Sequence, residues 1–189
     1  MSSLKLGFLS DTHNSHANKW NVQPCDIIVH SGDFSFNGRD SEINQFFVDA
    51  KKAIKDSGAK HFIIVPGNHE KGVQANEPLF RERCKENNII ALIHDAVELE
   101  GIKFFGSSYQ PYFCNWAYNV SEPEDLAEYY AQIPDDTDIL VTHCPPKGIL
   151  DYSPMCGSVG SQELLDRVIH LSKLKYHSFG HIHYSHGTK

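Results

Sequence analysis

The segment at residues 61–70, HFIIVPGNHE, combines a short run of apolar residues with a polar loop that follows directly. The run is rich in β-branched and aromatic residues, which is typical of a buried strand. The same arrangement recurs along the chain and predicts five strands: Leu4–Ser10, Asp26–His30, His61–Val65, Ile139–Thr142 and Tyr176–Phe179. Because helical segments separate these strands, the pattern predicts an α/β fold with helices layered around a sheet.

Between the strands, apolar residues recur with the spacing of amphipathic helices. The longest helix is expected to begin at Ser41 as N-cap and to end near Gly58, with one face formed by Ile43, Phe46, Phe47, Ala50 and Ile54. Ser121, followed three residues later by a glutamate, predicts the start of a second helix, and Ser161 predicts the start of a third. A shorter helix is expected over residues 78–86.

Two segments depart from this alternation. Ala96–Leu99 and Ile102–Phe105 flank a Glu-Gly turn and predict a hairpin, so the sheet is expected to be mixed. Residues 107–120 are rich in aromatic side chains and predict a packed loop. The alternative for this loop is a surface on which Trp116 and Tyr112 stack against a nucleobase.

Length and charge narrow the possible functions. The 189 residues (21.3 kDa) are expected to form one domain over residues 1–189. A net charge of −7 argues against a protein that coats nucleic acid or anionic membranes. We expect no membrane segment, no signal peptide and a cytoplasmic location. The five cysteines include no CxxC pair, which favours free thiols.

Polar side chains follow every predicted strand at the point where it ends. In chain order they are Asp11, His13, Asp33, Asn68, His69, His143, His181 and His183. Because ligands bind at the carboxyl ends of strands in α/β sheets, we expect these side chains to lie together. Carboxylate, imidazole and amide groups without thiolate suit Mn, Fe, Zn or similar divalent ions. The set is too large for one ion, and two ions about 3.5–4 Å apart would hold a hydroxide in line with the phosphorus of a phosphate ester.

The order and spacing of these residues resemble the five motifs of the calcineurin-like metallophosphoesterase superfamily. The matching motifs are Asp11-x-His13, Gly32-Asp33, Gly67-Asn68-His69-Glu70, His143 and Gly180-His181-x-His183. Residues 106–119 and 142–151 add a finer similarity to the metallophosphoesterase-domain-containing proteins. The resemblance implies an α/β fold with a layered core of mixed β-sheets flanked by helices. Family members usually continue past the last motif with further strands, so we expect either a core shortened at the C-terminus by the absence of these strands or a compact variant.

The resemblance also implies a ligand set for two divalent metal ions, with Mn favoured and Fe, Zn, Ni or Mg as alternatives. One ion would be held by Asp11, His13, Asp33 and His183. The other would be held by Asp33, Asn68, His143 and His181, so that Asp33 bridges the two ions. His69 would assist the leaving group, and His69 and Asp33 are therefore the predicted catalytic residues.

Four further residues are expected to contact the substrate. Asn14 and His16 follow the first motif and would donate hydrogen bonds to the phosphate. Gly157 lies in a glycine-rich loop before a helix, where backbone N–H groups can hold an anion. Trp116 would stack on an aromatic group of the substrate. An ordinary loop role is the alternative for His16 and Gly157, and a core role is the alternative for Trp116.

The activity implied by the resemblance is hydrolysis of small phosphodiesters such as 2′,3′-cyclic nucleotides. A phosphomonoesterase or phosphoprotein phosphatase is the alternative activity. An inactive interaction scaffold of the same fold is the alternative class, although the retained His69 favours catalysis. We expect a small phosphoester substrate and no extended nucleic-acid partner. The oligomeric state is not predicted.

Overall fold

Two four-stranded β-sheets lie between two layers of helices in the computed structural model, which describes residues 3–189. The strands are β1 (Leu6–Leu9), β2 (Ile27–His30), β3 (His61–Ile64), β4 (Ile90–Ala91), β5 (His94–Leu99), β6 (Ile102–Ser107), β7 (Gln110–Pro111), β8 (Asn119–Val120), β9 (Ile139–Thr142), β10 (Tyr152–Ser153), β11 (Gly157–Ser158) and β12 (Tyr176–Ser178). The helices are α1 (Asp40–Ser57), α2 (Lys71–Ala75), α3 (Glu77–Glu86), α4 (Pro123–Ala131) and α5 (Gln162–Val168). Single 3-10 turns occur at Ala17–Lys19 and His183–Ser185.

The first sheet has the order β1-β2-β3-β4, and all of its strands are parallel. The second sheet has the order β12-β9-β6-β5, with parallel pairs except for the antiparallel hairpin β5–β6. The expected α/β class and the expected hairpin are therefore confirmed. Division of the strands between two sheets could not be read from their apolar runs, because such a run shows that a strand is buried but not what covers it.

Alternate residues of the strands face opposite sides of each sheet and contribute to three hydrophobic clusters. Side chains from both sheets meet in a central cluster, which contains Ile27, Val29, Ile63, Val65, Phe104, Ile139 and Val141. The opposite face of the first sheet packs Ile28 and Phe62 against α1 and α3. The opposite face of the second sheet packs Phe105 and Leu140 against α4 and α5. Strands buried on both faces explain the continuous apolar runs of the sequence.

The start of α1 differs from the prediction. The helix begins at Asp40, and Ser41 is not its N-cap. The carboxylate of Glu42 instead accepts hydrogen bonds from the backbone N–H groups of Asn37 (3.2 Å) and Arg39 (2.8 Å). The carboxylate of this first-turn glutamate therefore serves the N–H group of the N-cap residue Arg39, as the glutamate of a capping box does. The helix ends as expected at Gly58, which has a φ of 74°.

Of the two other predicted serine caps, Ser161 is confirmed and Ser121 is wrong. Ser161 caps α5 as predicted, since its hydroxyl accepts a hydrogen bond from the N–H of Leu164 at 3.1 Å. Ser121 does not cap α4, which follows Glu122 and has Pro123 as its first residue. Proline suits this position because it has no N–H group to satisfy. The short helix predicted over 78–86 is α3, capped by Asn76.

All five cysteines are free, as expected. Among residues 3–189, no helix combines the length and the apolar character needed to cross a bilayer.

Candidate metal centre

The loops that follow β1, β2, β3, β9 and β12 meet at one edge of the two sheets and bring the predicted ligands together. Three groups of side chains place their ligand atoms within 4.8 Å of one another: Asp11, His13 and His183; His13, Asp33 and His69; and Asp33, His143 and His181. Asp33 belongs to two of these groups. The eighth predicted residue, Asn68, joins them because its Oδ1 lies 2.9 Å from Nε2 of His143.

Asp33 lies at the middle of the cluster and is only 2% exposed. Its Oδ2 is 3.2 Å from Nε2 of His143 and 3.9 Å from Nε2 of both His13 and His69. Its Oδ1 accepts a hydrogen bond from the backbone N–H of His69 at 2.9 Å. One carboxylate oxygen therefore faces three imidazoles while a backbone contact holds the other.

Backbone carbonyls orient three of these imidazoles. Nδ1 of His13 is 3.2 Å from the carbonyl of Ser35, and Nδ1 of His143 is 2.8 Å from the carbonyl of Ser31. Nδ1 of His69 lies 2.9 Å from a carbonyl as well, that of Phe36. Because a carbonyl can only accept, each Nδ1 carries the proton and donates it, and Nε2 faces the centre.

The segment after β12 closes the other side of the cluster. The backbone N–H of His181 donates to the carboxylate of Asp11 at 3.1 Å. Nε2 of His183 lies 3.2 Å from Oδ1 of Asp11 and 3.3 Å from Nε2 of His13. The His183 side chain is 59% exposed, whereas that of His143 is fully buried.

Glu70 holds the loops together, although the sequence had indicated no role for it. It is fully buried, and its carboxylate accepts hydrogen bonds from the N–H groups of Asp33 (2.8 Å), Gly67 (2.7 Å) and Ser35 (3.0 Å). The hydroxyl of Ser35 donates to it as well, at 2.7 Å. The only signal in the sequence was its place directly after His69, which does not distinguish it from an exposed loop glutamate.

The charges of the cluster are strongly coupled. Burial alone would lower the pKa of His143, but the adjacent Asp33 carboxylate outweighs it and raises that pKa to about 10. Burial alone would raise the pKa of Asp33, but the His143 cation outweighs burial and lowers that pKa. Burial lowers the pKa of His181 to about 4, so this ring is neutral near pH 7. If a metal ion were held at Nε2 of His143, it would have to displace a proton, whereas the neutral His181 would not have to lose one.

Backbone conformation at the cluster is unusual and serves the ligands. Asp11, Asp33 and His181 have φ values of 52°, 55° and 71°, a region that residues with a Cβ rarely adopt. A Cβ at Gly67 would overlap the Asp33 carboxylate, and one at Gly180 would overlap the carboxylate of Asp11. Strained positions and glycine cradles of this kind are typical of functional sites. With oxygen and imidazole donors and no thiolate, the residues present fit divalent metal ions.

Asn14 and His16, which were expected to contact the substrate, make contacts with α1. Nδ2 of Asn14 donates to Glu42 at 2.8 Å. His16 is exposed and lies against α1, with Nδ1 3.7 Å from Asp49. Neither residue belongs to the three ligand groups. Contact of Asn14 or His16 with a substrate remains a prediction.

Gly157 lies in the hairpin β10–β11, where its φ is 74°. Two N–H groups of the following residues are already used, since those of Val159 and Gly160 donate to Asp151 at 3.0 Å. The loop that was expected to hold an anion with these groups is therefore organised around an aspartate instead. Anion binding at Gly157 itself stays a prediction.

The aromatic segment at residues 107–120 divides into a buried part and an exposed part. Tyr118 is fully buried, as expected for a packed loop. Trp116 lies on the imidazole of His69, with 4.3 Å between the ring centroids. Tyr112 and Phe113 are 59% and 49% exposed.

A cavity of about 440 Å³ opens beside the candidate metal ligands. His181 and His183 form part of its wall, and the remainder comes mainly from apolar and aromatic residues that include Tyr112, Phe113, Val159, Ile182 and Tyr184. The sequence did not indicate this cavity because its walls come from four segments that are distant along the chain, at residues 110–113, 144, 153–159 and 181–184. The aromatic composition of residues 107–120 was the only signal.

Comparison with known proteins agrees with this geometry. Residues 4–185 match the family model described as calcineurin-like phosphoesterase. A UPF0046 protein of Caenorhabditis elegans is 32% identical over 199 residues, covering 98% of this chain and 65% of the relative. The human metallophosphoesterase domain-containing protein 1 is 31% identical over 202 residues, covering 95% of this chain and 60% of the relative. The chain thus spans somewhat less than two thirds of the length of these relatives.

The fold has a counterpart among solved structures. One of them superimposes with a TM-score of 0.65 at 15% sequence identity, over 94% of this chain and 84% of the other. A likeness at this identity supports the fold alone, whereas the family model spans nearly the whole chain and includes every ligand motif. The chain therefore belongs to the calcineurin-like phosphoesterase family.

Proposed function

We propose that this chain is a metal-dependent phosphoester hydrolase that acts on small phosphodiesters. The observation that carries the proposal is the position of Asp33, which belongs to two groups of ligand atoms at once. A carboxylate shared in this way is suited to two cations, because it can contact both and partly neutralise each. Membership of the phosphoesterase family supports the same reaction class.

The residues divide between two ions as follows. Asp11, His13, Asp33 and His183 would hold one divalent ion, and Asp33, Asn68, His143 and His181 would hold the other. When bound, the two ions would supply positive charge for the phosphate and lower the pKa of a water molecule. The donor set suits Mn, which we favour, as well as Fe, Zn, Ni or Mg.

His69 is proposed to protonate the leaving group. Its Nδ1 donates to the carbonyl of Phe36, which leaves Nε2 directed to the centre at 3.9 Å from Oδ2 of Asp33. In the reaction a water oxygen forms a bond to phosphorus and the bond from phosphorus to the leaving oxygen breaks. Nε2 of a protonated His69 gives its proton to that oxygen, and the proton lost by water passes to solvent.

A diester is favoured over a monoester by the charge of the surroundings. No Lys or Arg lines the cavity among the described residues 3–189. A monoester brings up to two negative charges, whereas a diester brings one and has a second organic group that needs an apolar surface. Cyclic nucleotides are diesters of suitable size, since a cavity of about 440 Å³ is within the usual range for small ligands.

Hydrolysis by the metal-stripped protein tests this proposal. Mn, Fe, Zn, Ni or Mg is restored in turn, and turnover of bis(4-nitrophenyl) phosphate is compared with that of 4-nitrophenyl phosphate. We expect metal-dependent turnover with preference for the diester. Preference for the monoester would instead assign the chain to the phosphomonoesterases, and absence of turnover with every ion would favour an inactive scaffold. Asp33→Asn, purified in the same way, reports any contaminating phosphatase.

A further inference from the structure

The cavity is continuous with the metal-binding residues. His181 and His183 are at once wall residues of the cavity and members of the ligand groups. The ring of Phe113, which also lines the cavity, packs edge-on against His181 with 5.8 Å between centroids. A phosphate bound at the centre would therefore have one of its substituents directed to this wall.

His69 lies at a different part of the centre. His13 is a neighbour of both His69 and the cavity residue His183. Its ring centroid is 4.8 Å from that of His69 and 5.2 Å from that of His183. Neither His69 nor Trp116, which covers it, lines the cavity. The leaving oxygen must be near His69 to receive its proton, so the leaving group lies by Trp116 and not in the cavity.

The wall of the cavity carries no Asp, Glu, Lys or Arg among the residues that the structure describes. Its exposed aromatic side chains, Tyr112, Phe113 and Tyr184, offer flat apolar surfaces. Such a wall favours an uncharged group, and aromatic rings gain from stacking in addition to burial. A second phosphate or carboxylate would find no Lys or Arg there among the described residues.

From this arrangement we infer that the cavity binds the organic group that stays on phosphorus, and that this group is an uncharged aromatic ring system. The inference rests on the proposed phosphodiesterase function and adds the substrate class to it. Substrate specificity then depends on the contacts that the retained group makes with Tyr112 and Phe113. In an acyclic diester the leaving group binds separately, beside His69, whereas in a cyclic diester only the leaving oxygen lies there and the rest of the molecule occupies the cavity. The monoester product keeps the retained group and is expected to bind in the same place.

Two diesters with the same leaving group separate these sites. We would compare methyl 4-nitrophenyl phosphate with 1-naphthyl 4-nitrophenyl phosphate, measuring release of 4-nitrophenolate by the metal-restored protein. The wild type is expected to have the higher kcat/KM for the naphthyl substrate. Tyr112→Ala should lower the naphthyl-to-methyl ratio about tenfold, mainly through KM, which corresponds to about 1.4 kcal/mol.

Tyr176→Ala is the matched control. Tyr176 is as exposed as Tyr112, at 60%, but lies on β12 and does not line the cavity. Its replacement should leave the ratio unchanged. An unchanged ratio in Tyr112→Ala would overturn the inference, as would an equal fall in both variants. A fall in Trp116→Ala but not in Tyr112→Ala would place the retained group beside His69 and overturn it as well.

Binding of 1-naphthyl phosphate, followed by its fluorescence, separates failure of the inference from failure of the proposed function. The metal-restored wild type and Tyr176→Ala should bind this product analogue about tenfold more tightly than Tyr112→Ala. If no diester is hydrolysed but binding depends on Tyr112, the cavity assignment is supported and the phosphodiesterase proposal is contradicted. Binding that does not depend on Tyr112 overturns the assignment whether or not diesters are hydrolysed.

Discussion

The loops of the first sheet and the segment after β12 both supply predicted metal ligands, yet they are held in different ways. Asp33 and Asn68 are each 2% exposed, and the buried carboxylate of Glu70 ties their loops together through backbone N–H groups. His183 is 59% exposed and is placed mainly by its contacts with Asp11 and His13. The cavity opens on the side of this second, exposed segment.

This difference indicates that the two regions of the centre have different roles. A buried network of hydrogen bonds costs free energy to disturb, so the side formed by the first sheet is pre-organised. The segment after β12 has fewer such contacts and borders the space where a substrate would enter. Substitutions should therefore have large effects on metal and rate in the first region and smaller, more selective effects in the second.

The largest effect is expected for Asp33→Asn. This change removes the charge that two groups of ligands share, so bound metal and turnover should be lost together. Metal content measured by elemental analysis, together with diester hydrolysis, checks this. Asp49→Asn is the control because Asp49 is also buried, at 5% exposure, but lies on α1. Full metal content and normal turnover in Asp33→Asn would contradict the bridging role.

His69→Ala should lower the rate by about 100-fold or more without loss of metal, as expected for loss of a proton donor. The decrease should be greatest for poor leaving groups, which depend most on protonation. His61→Ala, a change on β3 away from the centre, serves as control. Equal rates of wild type and His69→Ala with a poor leaving group would exclude the proposed role.

Glu70→Gln tests the pre-organised side without touching a ligand. The amide would direct N–H groups at a site where the neighbours donate to Glu70, namely the N–H groups of Asp33, Gly67 and Ser35 and the hydroxyl of Ser35. We expect metal affinity to fall about 10- to 100-fold and Tm to decrease. Isothermal titration and thermal unfolding measure the two effects, with Glu98→Gln on β5 as control. No change in either quantity would show that the comparison between the two regions is wrong.

His183→Ala tests the exposed segment. Because this ligand is partly in solvent, its loss should weaken metal binding only about tenfold, less than the loss caused by Glu70→Gln. Metal titration of His183→Ala and Glu70→Gln shows directly which variant loses more metal affinity. His186→Ala, also exposed and three residues further along, should bind metal normally. A larger loss of metal affinity in His183→Ala than in Glu70→Gln would mean that the exposed segment, and not the first-sheet loops, dominates metal binding.

The smallest effect is expected for Trp116→Ala. Its ring covers His69 and is proposed to contact a flat leaving group, so KM for a nucleotide diester should rise a few-fold, on the order of 1 kcal/mol. KM for a small aryl diester should change less, and Trp116→Phe should keep most of the contact. Equal changes for both substrates would return Trp116 to a purely structural role.

The clustering of the candidate ligands could be predicted from the sequence because each of them lies in a loop that follows a buried strand. Parallel strands end at the same edge of a sheet, so position along the chain predicts position in space. Caps were less predictable: Ser161 was identified correctly, but Ser41 and Ser121 were not. In those two cases the helix begins differently, because the carboxylate of Glu42 accepts from the N–H of Arg39 and Pro123 has no N–H group that needs a partner.

The sequence by itself determined the α/β class, the buried strands and the order of the ligand motifs, since these depend on local pattern and on covalent connection. Only the tertiary structure decided that the strands divide between two sheets, that Glu70 is buried among backbone donors, and that a cavity lies beside His181 and His183. Each of these features depends on contacts between residues that are far apart along the chain, and no local pattern records which distant segment will cover a given side chain.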